Sequence, residues 1–338
     1  MNHIDSYDEY ERYEAQFDPQ RRDRRARRGR KPQKNRAPKQ AAPQVVSDFA
    51  DVAGLEGGFN PTYTPARYEE GWLLNSLEAL YDQQLITDVM ALVKGGKEAN
   101  VYRCAPGPVI DAPWVAAKVY RPRMFRQLRN DKRYREGRAI LTSEGRPVKE
   151  TDHRLMRAIG KKTAFGAEVA HTSWLMHEYT TLHTLYEAGA TVPKPYGVSG
   201  NAILMEYIGD EQLPAPLLSE VRLDREEAWP LFEELIRNVE LMLRLGLVHG
   251  DLSAYNVLYW EGGVTIIDFP QITEARSNPN ARDIFARDVR RLCEYFARYG
   301  IQRNPDALAS SLWNRFWRVS EADILADLSR LDDGSDDE

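Results

Sequence analysis

A chain of 338 residues, 42% hydrophobic and 29% charged, has room for about two domains of ~150 residues and is neither collagen-like nor wholly disordered. No run of roughly 18 apolar residues occurs, and the start MNHIDSYDEYERYE is acidic where a secretory leader is basic and then apolar, so neither membrane spanning nor secretion is expected. Two distant cysteines, Cys104 and Cys293, make no disulfide framework, and six scattered histidines without an HExxH pair give no structural zinc, so a reducing cytoplasm is the expected compartment.

The net charge of -5 conceals blocks. Residues 1–20 hold six acids against Arg12, while residues 21–40 hold eleven Lys or Arg against Asp23. Like-charge blocks repel themselves, so disorder is expected over 1–60, with a short acidic tail at 332–338. The Arg/Lys-rich run 21–39 has the electrostatics of an RNA or anionic-surface contact, but it lacks interleaved aromatics to stack bases and suits a solubilising arm equally well.

A helical extension is expected over 61–92, where Trp72, Leu73, Leu74, Leu77, Leu80 and Tyr81 recur at helical spacing and lead into Ile86 and Val89. The runs ALVKGG, ANVYRC and PWVAAKVY, the last set off by the turn-rich APGPVIDAP, predict a small antiparallel sheet. Residues 121–138 carry eight Arg or Lys and read as an exposed loop inside a basic insertion, 121–168. A helix is predicted over 169–188, with Leu175, Tyr179, Leu182 and Tyr186 on one face and Gly189 near its stop. Pro193 and Pro195 break the chain, and NAILMEYI reads as a strand. Beyond residue 209 two helices are predicted: 226–246 (Trp229, Phe232, Ile236, Val239, Leu243) and 283–299 (Phe285, Val289, Leu292, Phe296). Sheet first and helices later give an α+β chain with lobes at 93–208 and 209–331.

The chemistry concentrates in LVHGDLSAYNVLYWEGGVTIIDFPQ, residues 247–271. Asp251 and Asn256 stand five apart in a loop, and Asp268 follows an apolar strand after a hairpin at Gly262 and Gly263. Mg2+ takes hard oxygen ligands, usually one or two from protein with phosphate and water completing its shell, which suits Asn256 and Asp268. Asp251 can accept or orient the proton of an attacking hydroxyl. Lys118 lies within the apolar strand WVAAKVY, where a lysine with nothing to bind is poorly tolerated. Glu178 is its candidate partner, although a solvated helix face would also carry a glutamate. Gly95 and Gly96 offer bare backbone to phosphate, and Met205, Glu206, Tyr207 and Ile208 offer backbone groups to an adenine ring.

In this order, GGKEANVY, AAKVY, LMEYI, HGDLSAYN and IDFPQ resemble the RIO family of atypical protein kinases over roughly residues 73–300. That resemblance implies a two-lobed protein-kinase-like fold using ATP and Mg2+, with Mn2+ as a substitute. Lys118 corresponds to the phosphate-binding lysine, Glu178 to the helix glutamate, Asp251 to the catalytic aspartate, and Asn256 and Asp268 to the metal ligands. It further implies ATP contacts at Gly95, Gly96, Lys97, Val101, Met205, Glu206, Ile208 and Leu258, and Asp268 as a phospho-acceptor. KEANVY and RNDKRYREGR resemble the first subfamily and IDFPQ the second. HGD stands where ordinary kinases have HRD, DFP where they have DFG, and no APE-like segment is visible, so His249 reads as a loop support. The expected activity is transfer of the ATP γ-phosphate to protein serine and to the chain itself. Alternatives are an ATPase switch in small-subunit ribosome assembly, an aminoglycoside- or choline-type small-molecule kinase, and a pseudokinase scaffold.

Overall fold

The computed structural model describes residues 59–317, apart from 60, 66, 97, 122–137, 149–151 and 162. The expected disorder of 1–60, nearly all of the basic loop 121–138 and the acidic tail fall outside the described residues. The described chain divides into two compact units: one runs up to Arg121 and includes Tyr196–Met205, and the other holds Arg138–Pro195 and everything from Glu206 onward.

The first unit is built on a five-stranded sheet with strand order β1-β2-β3-β5-β4: β1 Ile86–Gly95, β2 Ala99–Pro106, β3 Val115–Tyr120, β4 Pro195–Ser199 and β5 Ala202–Glu206. The strands β1 to β3 form an antiparallel meander. Helix α1, Arg67–Asp82, buries Leu73, Leu77 and Leu80 against Val89, Tyr102, Cys104, Val115, Ala117, Val119 and Leu204. Those positions alternate along each strand, as a one-sided core requires. Ile86 and Val89 thus belong to the strand after the helix rather than to its continuation; a turn at Gln84, with φ of 56°, separates the two. The chain also resumes as a strand at Pro195, immediately after the expected break; β4 lies at the edge of the sheet, where a missing N–H is tolerated.

The second unit is mainly helical, with α2 His153–Gly160, α3 Ala164–Glu187, α4 Arg225–Arg244, α5 Ala281–Ala297 and α6 Pro305–Phe316. Helix α3 begins at Ala164, five residues before the expected start at 169, because the Thr163 side chain accepts from the Gly166 N–H and caps it. In α4 the buried stripe is Leu231, Phe232, Leu235, Val239, Met242 and Leu243. Trp229 is not part of it: the residue is 41% exposed, with the Arg303 guanidinium 5.1 Å from the ring centroid. The helix α6 was not anticipated; its cap, Asn304, accepts from the N–H groups of Asp306 and Ala307.

Between these helices β7, Val257–Trp260, and β8, Gly263–Ile266, form the expected hairpin, but its turn residues are Glu261 and Gly262, both of positive φ, and Gly263 already pairs with Trp260. The two-residue strands β6, Leu247–Val248, and β9, Thr273–Glu274, pair antiparallel and close the segment carrying the conspicuous motif. Among the described residues no helix is long and apolar enough to cross a membrane.

Candidate active site

In the first unit Lys118 is only 9% exposed and lies in β3 directly opposite Val101 of β2. Alternation puts both side chains on the sheet face away from α1, together with Tyr120, whose ring centroid is 5.3 Å from Lys118 Nζ. Met205 shares that face, since Ala202 and Leu204 of β5 point into the α1 core. The Gly95–Gly96 turn closes β1 and is braced by Asn100, whose Oδ1 accepts from Gly96 N at 3.2 Å and from Arg121 NH2 at 3.1 Å. A Cβ built on Gly95 would meet nothing closer than Asn100 Oδ1 at 3.9 Å, so packing does not demand a glycine there. Lys97 lies outside the described residues.

In the second unit Glu178 is 4% exposed within α3, which excludes a solvated helix face. Leu258, half-buried on β7, bridges to Leu217. Glu206 donates its N–H to Lys194 O at 2.8 Å, and the Ile208 carbonyl accepts from Ala215 N at 2.9 Å.

The hairpin accounts for the spacing of the motif. Register Val257↔Ile266 puts Asn256 just before one strand and Ile267 just after the other, and Ile267 N donates to Asn256 O at 3.0 Å. Asp268 follows in the left-handed region, φ 72°, a sparsely populated conformation of the kind that clusters at functional sites. A 3₁₀ turn at Ala254–Asn256, capped by Ser253, aims Asn256 back at the loop: its Nδ2 donates to Asp251 O at 2.8 Å and to Asp251 Oδ2 at 3.1 Å. The nitrogen is thereby spent, and the amide oxygen is left as the ligating atom. Among the described residues no three His, Cys, Asp or Glu side chains gather at metal-binding spacing. One amide oxygen and one carboxylate are nevertheless the donors Mg2+ takes when phosphate and water supply the rest, so these residues fit that ion.

His249 is 2% exposed and supports the loop, as expected. Its Nδ1 accepts from Asp251 N at 3.3 Å, its Nε2 contacts Ile267 O at 3.2 Å, and its ring centroid is 5.0 Å from that of Phe269. One tautomer, with hydrogen on Nε2, satisfies both polar contacts. Gly250 explains the absence of an HRD arginine: its φ is +87°, and a Cβ would lie 2.2 Å from Gln271 O.

Helix α5 supplies what sequence reading missed. Asp288 Oδ2 accepts from Gly250 N at 2.8 Å, Arg287 donates to Gly250 O, and Arg291 NH1 meets Asp251 Oδ1 at 2.6 Å. Two carboxylates and two guanidiniums thus neutralise one another in the interior, which a buried charge requires. Burial pushes the Asp288 carboxyl up from its ordinary range, against the pull of Arg287, His249 and Arg291. Burial also works against the Arg291 charge, but Asp251 and Asp288 outweigh it and hold the guanidinium above its ordinary value. Periodicity marked α5 only by its apolar positions; acid and base at i and i+3 within an otherwise buried helix were the available signal. Arg138, the last residue of the basic segment, donates to Pro270 O at 3.1 Å and to Ile272 O, tethering the chain just after Asp268.

The family model for the RIO domain matches residues 132–308, about half of the chain, and includes Glu178, Asp251, Asn256 and Asp268. The chain belongs to the RIO family. Lys118 and Gly95 precede the RIO-domain match. The RIO-type serine/threonine-protein kinase Rio1 of Haloferax volcanii is 32% identical over 219 residues, 64% of this chain and 66% of that protein. The Rio1 of Thermoplasma acidophilum is 33% identical over 135 residues, 40% and 69% of the two chains. Among solved structures, the Rio2 kinase-ADP/Mg2+-phosphoaspartate complex of Chaetomium thermophilum is similar with a TM-score of 0.46 and 18% identity, covering 86% of this chain and 85% of that one. The RIO chain spans less than half the length of the nematode and human RIO1 proteins it matches, 44% and 41%.

Proposed function

We propose that this chain is an ATP- and Mg2+-dependent serine protein kinase of RIO type, transferring the γ-phosphate to protein serine and to itself. The observation that carries the reading is the Asp251–Asn256–Asp268 segment, bound together by hairpin register and buried charge in a RIO domain. When bound, Mg2+ supplies charge neutralisation on the transferring phosphoryl group. The Asn256 amide oxygen and the Asp268 carboxylate are its ligands, and Mn2+ suits the same pair. Asp251 orients the acceptor hydroxyl and takes its proton, while Lys118 acts on phosphate as a point charge. Glu178, buried on α3, has the charge of the helix glutamate that partners such a lysine in the RIO resemblance. Gly95, Gly96 and Lys97 bring backbone to the phosphates, and Val101, Met205 and Leu258 supply apolar contact to the base. The Glu206 carbonyl and the Ile208 N–H have the chemistry to read adenine, their companion hinge groups being engaged internally. Two buried free thiols accord with a cytoplasmic protein, and the charge of the run 21–39 suits a ribosomal precursor or rRNA.

The test is γ-labelled ATP with Mg2+, with and without ribosomal particles, followed as free phosphate and as protein-bound label. Acid-stable label on serine that disappears in Asp251→Asn supports the kinase. Free phosphate alone, raised by ribosomal particles, with a hydroxylamine-labile label lost in Asp268→Asn, would replace it by an ATPase switch. Neither product would refute both.

A further inference from the structure

We infer that Arg291 of α5 is a positioning residue for phosphoryl transfer, setting the orientation of the Asp251 carboxylate. The inference rests on the role proposed above for Asp251. The three α5 contacts divide into two kinds. Asp288 and Arg287 hold the Gly250 backbone, N–H and carbonyl respectively, and so hold the path of the loop. Arg291 donates to the Asp251 side chain itself, at Oδ1, while Asn256 donates to Oδ2. With a donor on each oxygen, the carboxylate plane is fixed from both sides, by its own loop at Asn256 and by α5 at Arg291. Arg291 is 2% exposed, so no water competes freely for its place. An aspartate that must meet a hydroxyl proton within hydrogen-bond reach gains from being held in one rotamer before substrate arrives, and a displacement of about 1 Å can cost roughly 10²-fold in rate. A lysine at 291 keeps the charge but not the planar fork, so charge and geometry can be separated.

The experiment is a double-variant cycle on the full chain: Arg291→Lys, Arg291→Met, Asp251→Asn, and Arg291→Met with Asp251→Asn, each read by single-turnover phosphoryl transfer, ATP KM and thermal melting. In variants that melt cooperatively, Arg291→Met should lower kcat on the order of 10- to 100-fold with the KM for ATP changed less than about 2-fold. Arg291→Lys should recover part of that loss. In the Asp251→Asn background, Arg291→Met should produce no further loss. Additive losses there, an unchanged kcat, or a raised KM with kcat intact would overturn the inference. Melting decides the pairing independently of turnover: each single variant strands a buried charge, so the double variant should melt no lower than the worse single. A double variant that adds both decrements refutes the pair. A wild-type chain that transfers nothing defeats the kinase reading, and the positioning role with it, while the melting cycle still tests the ion pair.

Discussion

Replacing Gly250 by alanine tests the geometry of the HGD loop most directly. At φ +87° an alanine pays about 1–2 kcal/mol for bringing its Cβ against the following carbonyl. The larger effect is contact: the Cβ would stand 2.2 Å from Gln271 O, and that carbonyl must retreat by about 0.8 Å to reach 3.0 Å, the least a real Cβ tolerates. Retreat is resisted, since Arg138 grips Pro270 O and Ile272 O on either side of Gln271. The strain therefore passes into the 249–251 loop, where Asp288 and Arg287 grip the Gly250 backbone. The backbone cost alone lowers the melting temperature on the order of 2–8 °C for a unit of this size. A shift approaching 1 Å at Asp251 lowers phosphoryl transfer by roughly 10²-fold. Differential scanning calorimetry and single-turnover transfer of labelled phosphate measure the two. An alanine variant that melts and turns over like the wild type would refute the close approach on which the reading rests. Gly250→Arg, which recreates the HRD of ordinary kinases, should be worse still.

Asp251→Asn is expected to cut phosphoryl transfer on the order of 10² to 10⁴. It should also lower the melting temperature, because the buried Arg291 loses its counter-charge; a variant of wild-type stability would contradict the ion pair. Lys118→Ala should weaken binding of ATP more than binding of adenosine, measured by calorimetry, since the lysine acts on phosphate; an equal loss for both ligands would speak for a packing role. Both cysteines should resist Ellman's reagent at pH 7 until the chain is unfolded, and reaction of either native thiol at the unfolded rate would overturn their burial. Burial pushes the Cys293 thiol up to about 11 and Cys104 upward also. The unfolded thiols near 9 lose their protons first, so this contribution to stability is intact below about pH 9 and is lost as pH rises toward 11, which urea melts across that range would follow.

What the sequence alone determined is what short-range chemistry dictates. The hairpin of β7 and β8 follows from the short apolar runs VLYW and VTII on either side of a turn that tolerates positive φ, and it places Asn256 beside Ile267 wherever the rest of the chain goes. Helix α3 and the buried stripe of α5 follow from periodicity in the same way, as does the lysine embedded in β3. Tertiary structure decided what depends on two distant segments meeting. Trp229 has the spacing of a core residue, but the stripe of α4 is set by what packs against it, and that leaves the ring outside under Arg303. Strand β4 begins on a proline and is a strand only because a sheet edge is there to receive it. The glycine of HGD looks like a lost arginine until Gln271 is seen to occupy the space of its Cβ. The apolar spacing of α5 says nothing about Asp288 and Arg291, and they are buried because a loop some forty residues earlier presents the backbone and the carboxylate that neutralise them. A charge can enter the interior only together with its counter-charge, and no local pattern in the sequence records where that partner will be.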